Sequence, residues 1–141
     1  SDIISIKKLL GNKIDENFYT YLLSLTTKDI EIFAIEEGNF VFPTLPLVQI
    51  SGPIAVLQLI ETYLLNLTNY ASLVATNAAH FRIAAGDDVV LSEFGCRRAQ
   101  GPDGAISSSL YSYIGGFDNT SNVQAAVLYD LPVSGTVAHA Y

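Results

Sequence analysis

"DVVLSEFGCRRAQGPDG", residues 88–104, is the stretch that decides the fold class of this chain. Its first half, "DVVLSEF", has the β-branched and aromatic residues typical of a buried strand, and Gly95 follows directly. Pro102 then suits the first turn of a helix, because its missing N–H would have no partner there. A strand that leads directly into a helix predicts an α/β protein.

The residues after this stretch repeat the same order of elements. "NTSNVQAAVLY", residues 119–129, predicts a helix with Asn119 or Thr120 as its N-cap, and "LPVSGT", residues 131–136, predicts a second short strand. Strand, helices and strand in this order indicate a βα barrel or an open α/β sheet. Ligands in such folds bind at the carboxyl ends of the strands, so we expect "EFGCRR" and "SGTVAH" to lie at one site.

The residues before it predict a different kind of segment. Two short helices are expected over 2–10 and 15–25, and two or three short strands within 30–52. Polar residues recur at roughly the helical period over 53–86, which predicts one long helix or two helices that meet near 66–69.

The composition indicates that part of the surface is normally covered. The chain has 141 residues, of which half are apolar and only 15% are charged. This is apolar for one domain of that size. The chain also ends on "GTVAHAY" without the polar tail or closing element of a typical terminus. We therefore expect an interior fragment of a longer polypeptide.

Charge and cysteine content exclude several classes of function. A net charge of −7 argues against a nucleic-acid surface, which needs a basic stripe. The single cysteine, Cys96, excludes an internal disulfide and an all-thiolate metal site, and we expect it to be a packing residue. His80 and His139 are not spaced as metal ligands, and His80 continues the polar side of the long helix.

Neither a secretory signal nor a membrane span is expected. The first residues read as an amphipathic helix, and polar side chains interrupt the apolar run over 53–75. We therefore expect a cytoplasmic protein without membrane association.

Positive charge is scarce after Lys28, where eleven acids face only Arg82, Arg97 and Arg98. Adjacent arginines at a strand end favour phosphate or carboxylate binding, because guanidinium groups offer paired donors in a fixed fork. The alternative is a solvated turn, or an ion pair with Glu93 or Asp103. Both interpretations stay open from the residues alone.

Three further features have a functional and a structural interpretation. "YIGGFDNTSN", residues 113–122, could point backbone N–H groups at an anion, or be an ordinary capped helix after a Gly-Gly turn. Thr136 and His139 follow the second strand, where a histidine could act as an acid, a base or a phosphate carrier, or only pack. Phe94 could offer its ring to a planar ligand, or be a buried strand residue.

Several blocks of this sequence closely resemble nicotinate phosphoribosyltransferase. They are "EFGCRRAQGPDG", "YIGGFDNTSNVQAA" and "PVSGTVAH", in this order and spacing, preceded by "FPTLPLVQISGPIAVLQLIETYLLNLTNYASLVATNAAHFRIAAG". The likeness is strong over residues 29–141 and weak before them. It implies an enzyme of NAD salvage that joins nicotinate to 5-phosphoribosyl 1-diphosphate, giving nicotinate mononucleotide and diphosphate.

The resemblance also implies cofactors, assembly and fold. ATP hydrolysis would be coupled to the reaction, Mg²⁺ (or Mn²⁺) would be required, and the active site would lie at a homodimer interface. The fold would be an irregular α/β barrel of the type II phosphoribosyltransferase kind beside a second domain. Residues 1–52 would then belong to the second domain, and residues 53–141 to the long helix and first βα units of an incomplete barrel.

Site residues follow from the resemblance by position in these blocks. Phe94 would stack on the pyridine ring, Arg97 would contact the phosphoribosyl substrate and the base, and Arg98 would support it.

The later blocks imply four more positions. Ser121 falls where the related nicotinamide-using enzyme has an aspartate, and a neutral residue there suits an acid substrate. Gly135 and Thr136 would lie against nicotinate, and His139 would be the histidine that ATP phosphorylates.

Two alternatives remain open at this point. One is a relative that uses nicotinamide or quinolinate, which Ser121 disfavours. The other is a non-catalytic phosphate-binding or regulatory remnant. The family's amino-terminal aromatic residue, its downstream arginine and its phosphate-binding loops are absent from these 141 residues, so we expect the fragment alone to be inactive.

Overall fold

The structure is a computed structural model that describes residues 2–137. Its internal contacts divide the chain into two units. The first comprises residues up to 36 together with 41–61, and the second comprises 37–40 together with the residues from 62 onward. The assignment of 1–52 and 53–141 to two domains of a larger enzyme stays a prediction.

The first unit contains two helices and a pair of strands. Helices α1 (Asp2–Leu10) and α2 (Glu16–Ser24) match the predicted ones, and Asp15 caps α2 by accepting a hydrogen bond from the Asn17 N–H at 2.7 Å. Strands β1 (Glu31–Ala34) and β2 (Val48–Ser51) pair antiparallel. The strands expected within 30–52 are therefore present.

A single helix, α3, spans Ile54–Ala85 and is continuous through the residues where a junction near 66–69 was considered. The polar residues there lie on the exposed side and leave the backbone ladder intact. Several of its large apolar side chains are also exposed, including Leu73 and Ile83 at 70% and 71%. No helix among the described residues is long and apolar enough to cross a membrane.

The second unit has α/β character, as predicted. It contains β3 (Ser92–Glu93), α4 (Gly101–Ile114), β4 (Asn119–Thr120) and α5 (Val123–Tyr129). Strands β3 and β4 are parallel neighbours, and Thr120 forms a further parallel bridge with Val133. Three successive chain segments thus run side by side in one direction.

The strands are shorter than their sequence patterns predict. "DVVLSEF" contributes only Ser92–Glu93 to the sheet, and "LPVSGT" contributes only the bridge at Val133. Asn119 or Thr120 was expected to cap α5, and this expectation was wrong. They form β4 because the Thr120 hydroxyl binds the Glu93 side chain, and Asn122 caps α5 instead, accepting from the Ala125 N–H at 3.2 Å.

The Gly-Gly turn after α4 packs directly against α3. A Cβ on Gly115 would lie 2.4 Å from the Ala75 carbonyl oxygen and 2.6 Å from the Ala78 Cβ, and Gly116 has φ of +107°. Only glycine fits this approach. The turn therefore brings α3 close to the segment that leads into β4.

Candidate functional site

An open cleft of about 1000 Å³ lies where β3 and β4 end. Its walls come from the turn after β3, the turn after β4, the segment after Val133 and parts of α3 and α4. Five of the predicted site residues line it together: Phe94, Arg97, Arg98, Ser121 and Thr136. The ends of neighbouring parallel strands meet at one edge, which is why residues far apart in sequence converge here.

The two other predicted residues are Gly135 and His139. Gly135 is exposed and precedes Thr136 in the chain, but it does not line the cleft. His139 lies outside the described residues. The functional roles of all seven residues stay predictions.

The cleft has an aromatic wall. Phe94 is 44% exposed, so it is not the buried strand residue that the structural interpretation required. Phe81 of α3 and Phe117 also line the cleft, with their rings in edge-to-face contact at 6.1 Å. Such a wall can accept the face of a planar ligand.

Arg97 and Arg98 lie on a 3-10 turn, Cys96–Arg98, directly after β3. The turn is held by a hydrogen bond from the Arg98 N–H to the Gly95 carbonyl at 2.8 Å. Both side chains are exposed, and within residues 2–137 neither forms an ion pair. The expected alternatives, pairing with Glu93 or Asp103, are therefore not observed.

Cys96 also lines the cleft, and its thiol is exposed. The expectation that it is a packing residue was wrong. Cys96 begins the 3-10 turn Cys96–Arg98, in which no residue is buried.

A buried polar cluster, of which Glu93 also lines the cleft, was not foreseen from the sequence. Its members are Glu93, Ser109, Thr120 and Asn122, with exposed fractions from 1% to 8%. The Glu93 carboxylate accepts from Thr120 Oγ1 at 2.6 Å and from Ser109 Oγ at 2.9 Å. The available signal was an acid inside an apolar strand, which must find donors if it is buried.

The remaining arginine of this region, Arg82, is fully committed to structure. Its guanidinium donates to the carbonyls of Gly116, Gly86 and Val89 at 2.7–2.8 Å and pairs with Asp118. A hydrogen bond from the Leu91 N–H, and then one from Arg82, hold the pKa of Asp118 below its usual value. This clamp fastens the end of α3 to the Gly-Gly turn.

Three properties define what the cleft can do. It offers an aromatic surface, two guanidinium groups with no acidic partner in the described part of the chain, and the hydroxyls of Ser121 and Thr136. Together they suit a planar anion or a phosphorylated sugar. Among the described residues, no group of three His, Cys, Asp or Glu side chains could hold a metal ion.

Comparison with known proteins gives one consistent result. Nicotinate phosphoribosyltransferases from Caenorhabditis elegans and Homo sapiens are 56% and 48% identical to this chain over all 141 residues. Nicotinate phosphoribosyltransferase 1 of Arabidopsis thaliana is 60% identical over 127 residues, or 90% of this chain. No protein-family model matches.

A solved structure agrees with the sequence comparison. The crystal structure of human nicotinic acid phosphoribosyltransferase superposes with a TM-score of 0.89 and 49% identity, covering 99% of this chain and 28% of the human one. The chain spans about a quarter of the length of these relatives: 25%, 26% and 23% in C. elegans, human and A. thaliana. By sequence and by fold, this chain matches one segment, about a quarter of the length, of nicotinate phosphoribosyltransferases.

Proposed function

We propose that this segment forms part of the substrate pocket of an enzyme that joins nicotinate to 5-phosphoribosyl 1-diphosphate. The products are nicotinate mononucleotide and diphosphate, in NAD salvage. One observation carries the proposal: Phe94, Arg97, Arg98, Ser121 and Thr136 line a single cleft. The family of the chain supports the same reaction.

In this proposal the turn after β3 binds both substrates. The exposed Phe94 ring stacks on the pyridine ring of nicotinate. Arg97 binds the anionic substrates, and Arg98 adds positive charge beside it. Within residues 2–137 neither has an acidic partner, which supports this assignment, because an unpaired guanidinium needs no ion pair to be broken before it binds an anion.

The turn after β4 and the segment after Val133 select the base. Ser121 is neutral and places no negative charge near the carboxylate of nicotinate. Thr136 lies against the ligand with Gly135 beside it. Both Ser121 and Thr136 are cleft residues, which supports a shared ligand.

The chemistry requires binding and charge stabilisation more than proton transfer. Displacement of diphosphate from the sugar passes through oxocarbenium character, so the partners must be held in line while the leaving anion is stabilised. The pyridine nitrogen is already a nucleophile. The guanidinium groups of Arg97 and Arg98 can stabilise the leaving anion, and the aromatic wall can orient the ring.

ATP and a divalent cation are proposed on family grounds. ATP would phosphorylate His139, which links hydrolysis to substrate binding. For Mg²⁺ or Mn²⁺, the residues 2–137 offer no suitable group of ligands, and the carboxylate at the cleft, Glu93, already has three donors. These residues do not fit a resident metal, so every step proposed here uses side chains of the chain itself.

Fold, assembly and location are proposed in the same way. The parallel order of β3, β4 and Val133 supports an irregular α/β barrel continued by residues outside this chain. An open cleft and abundant exposed apolar side chains support a homodimer in which further residues close the site. We place the enzyme in the cytoplasm.

The decisive experiment measures nicotinate mononucleotide made by the full-length protein that carries this segment. Arg97→Ala should lower kcat/KM for nicotinate by about 100-fold or more, as loss of a charge-stabilising donor typically does. Lys28→Ala, which removes an exposed positive charge outside the cleft, is the matched control and should have little effect.

Other outcomes favour the alternatives. If kcat/KM is higher for nicotinamide or quinolinate than for nicotinate, that base is the preferred substrate. Binding of 5-phosphoribosyl 1-diphosphate without turnover of any base would favour a non-catalytic phosphate-binding or regulatory protein.

A further inference from the structure

One carboxylate joins three chain segments at the cleft. Oε2 of Glu93 accepts from Thr120 at the end of β4 and from Ser109 on α4, and Oε1 accepts from the Gly95 N–H in the turn after β3. The main-chain carbonyl of Glu93 also accepts from the Ser121 N–H at 3.0 Å. A single residue thus contacts both turns that carry the predicted substrate-binding residues.

Thr120 is the central donor of this cluster. The Ser109 hydroxyl has one proton and two acceptors at 2.9 Å, Glu93 Oε2 and the Ala105 carbonyl. The Thr120 hydroxyl has its shortest contact, 2.6 Å, with Glu93, and accepts in turn from the Asn122 N–H at 3.0 Å. Donation from Thr120 to Glu93 therefore links β4 and the start of α5 to β3.

Burial of this cluster would destabilise the fold if any of its polar groups lacked a hydrogen-bond partner. Glu93 is 8% exposed, and within the described residues no basic side chain pairs with it, so hydrogen-bond donors alone compensate its burial. Replacing such buried polar groups with apolar side chains of similar volume often leaves the stability of a protein unchanged. A buried network in which every polar group has a partner holds its members in one geometry more strictly than apolar packing does.

We propose that Glu93 is a positioning residue, which acts through Thr120 to set the turn bearing Phe94 and Arg97 at a fixed distance from the turn bearing Ser121. The kinetic consequence rests on the proposed function, because nicotinate must contact both turns. The structural consequence does not, since it concerns only the two turns.

The test compares two substitutions at Thr120 in the full-length protein. Thr120→Val keeps the shape but removes the donor to Glu93 and the acceptor for Asn122, whereas Thr120→Ser keeps the hydroxyl. Hydrogen exchange should become at least about tenfold faster in peptides covering 94–99 and 118–122 of Thr120→Val, and stay unchanged in peptides of α3. Thr120→Ser should exchange like the wild type.

Kinetics provide the second readout. In Thr120→Val the KM for nicotinate should rise about tenfold or more with a smaller change in kcat, and Thr120→Ser should restore it. Glu93→Gln is a second variant of nearly unchanged volume; its amide N–H₂ faces other donors, and it should act like Thr120→Val.

The outcomes separate this inference from the proposed function. A wild-type protein that makes no nicotinate mononucleotide refutes the proposed function, and hydrogen exchange alone then decides on Glu93. Equal exchange at both turns in Thr120→Val and Thr120→Ser overturns the inference whatever the activity. Faster exchange spread evenly over the second unit, or an unchanged KM in an active enzyme, also overturns it.

Discussion

Arg97 and Arg98 supply the positive charge of the described cleft, and both guanidinium groups are available to a ligand. Arg82, the other base after Lys28, donates to four acceptors, two in the segment after α3 and two at and after the Gly-Gly turn. Arg97 and Arg98 are exposed and free of ion pairs within the described part of the chain. An anion that enters the cleft therefore meets guanidinium groups that have no competing partner.

Ser121 gives a test of substrate choice at the level of one side chain. Ser121→Asp in the full-length protein should lower kcat/KM for nicotinate by about 100-fold, because opposing like charges in an interface cost several kcal/mol. The value for nicotinamide should fall much less. Steady-state rates with both bases measure this, and Ser121→Asn is the neutral control. Equal losses for the two bases in Ser121→Asp would show that Ser121 does not face the carboxylate.

Two elements, α3 and the Gly-Gly turn after α4, are joined by a close backbone approach and by the Arg82 clamp. The turn contacts α3 through Gly115, and Arg82 of α3 reaches the Gly116 carbonyl at 2.8 Å. These contacts hold the segment that leads into β4 in place. The position of Ser121 thus depends on packing between elements distant in sequence.

Substitution of Gly115 tests this contact between elements. Gly115→Ala should lower the free energy of unfolding by roughly 1–3 kcal/mol, since the new methyl group would overlap Ala75 and Ala78. Gly104→Ala in α4 is the matched control, because its methyl group would meet its nearest neighbour at an ordinary 3.5 Å. Urea unfolding of the two full-length variants compares them. Similar stability in both would mean that the close approach at Gly115 does not exist.

The clamp between Arg82 and Asp118 predicts a pH dependence at the same place. Folding lowers the pKa of Asp118 below its unfolded value of about 3.8. The carboxylate therefore stabilises the turn at any pH above about 3.8, and this stabilisation is lost as the pH falls from there through the folded pKa. Hydrogen exchange over 86–91 should be faster in Asp118→Asn than in the wild type at pH 7. The difference should shrink as pH is lowered below about 4. A constant difference across this range would contradict the assignment.

On the scale of the whole molecule, the chain exposes more apolar surface than an isolated domain normally does. Large apolar side chains are exposed on α3 and on β1, among them Ile54, Tyr63 and Phe33 at 71%, 76% and 63%. Apolar surface of this extent normally packs against other protein. The cleft is likewise open on one side, so ligands held there need further residues to enclose them.

This predicts the behaviour of the 141 residues expressed alone. They should make no detectable nicotinate mononucleotide from nicotinate, 5-phosphoribosyl 1-diphosphate, ATP and Mg²⁺, because the cleft formed by the described residues is open and does not enclose a ligand. The full-length protein serves as the positive control in the same chromatographic assay. Turnover by the 141 residues would show that the described cleft is sufficient for catalysis.

Local signals determined much of the fold from the sequence. Asp15 before α2 and Pro102 at the start of α4 each act within one turn of chain, and both helices begin where they were predicted. The blocks around Phe94, Arg97 and Thr136 were enough to place these residues after predicted strands, because their order along the chain follows βα periodicity.

Tertiary structure alone decided how those blocks are joined. Asn119 and Thr120 have the sequence of a helix cap, and they became a strand because Thr120 meets the buried Glu93 from 27 positions earlier. Cys96 was expected to be a packing residue, but it is exposed and lines the cleft. Short-range preferences act through the backbone next to a residue, whereas hydrogen bonds to a buried carboxylate depend on which segments the fold brings into contact.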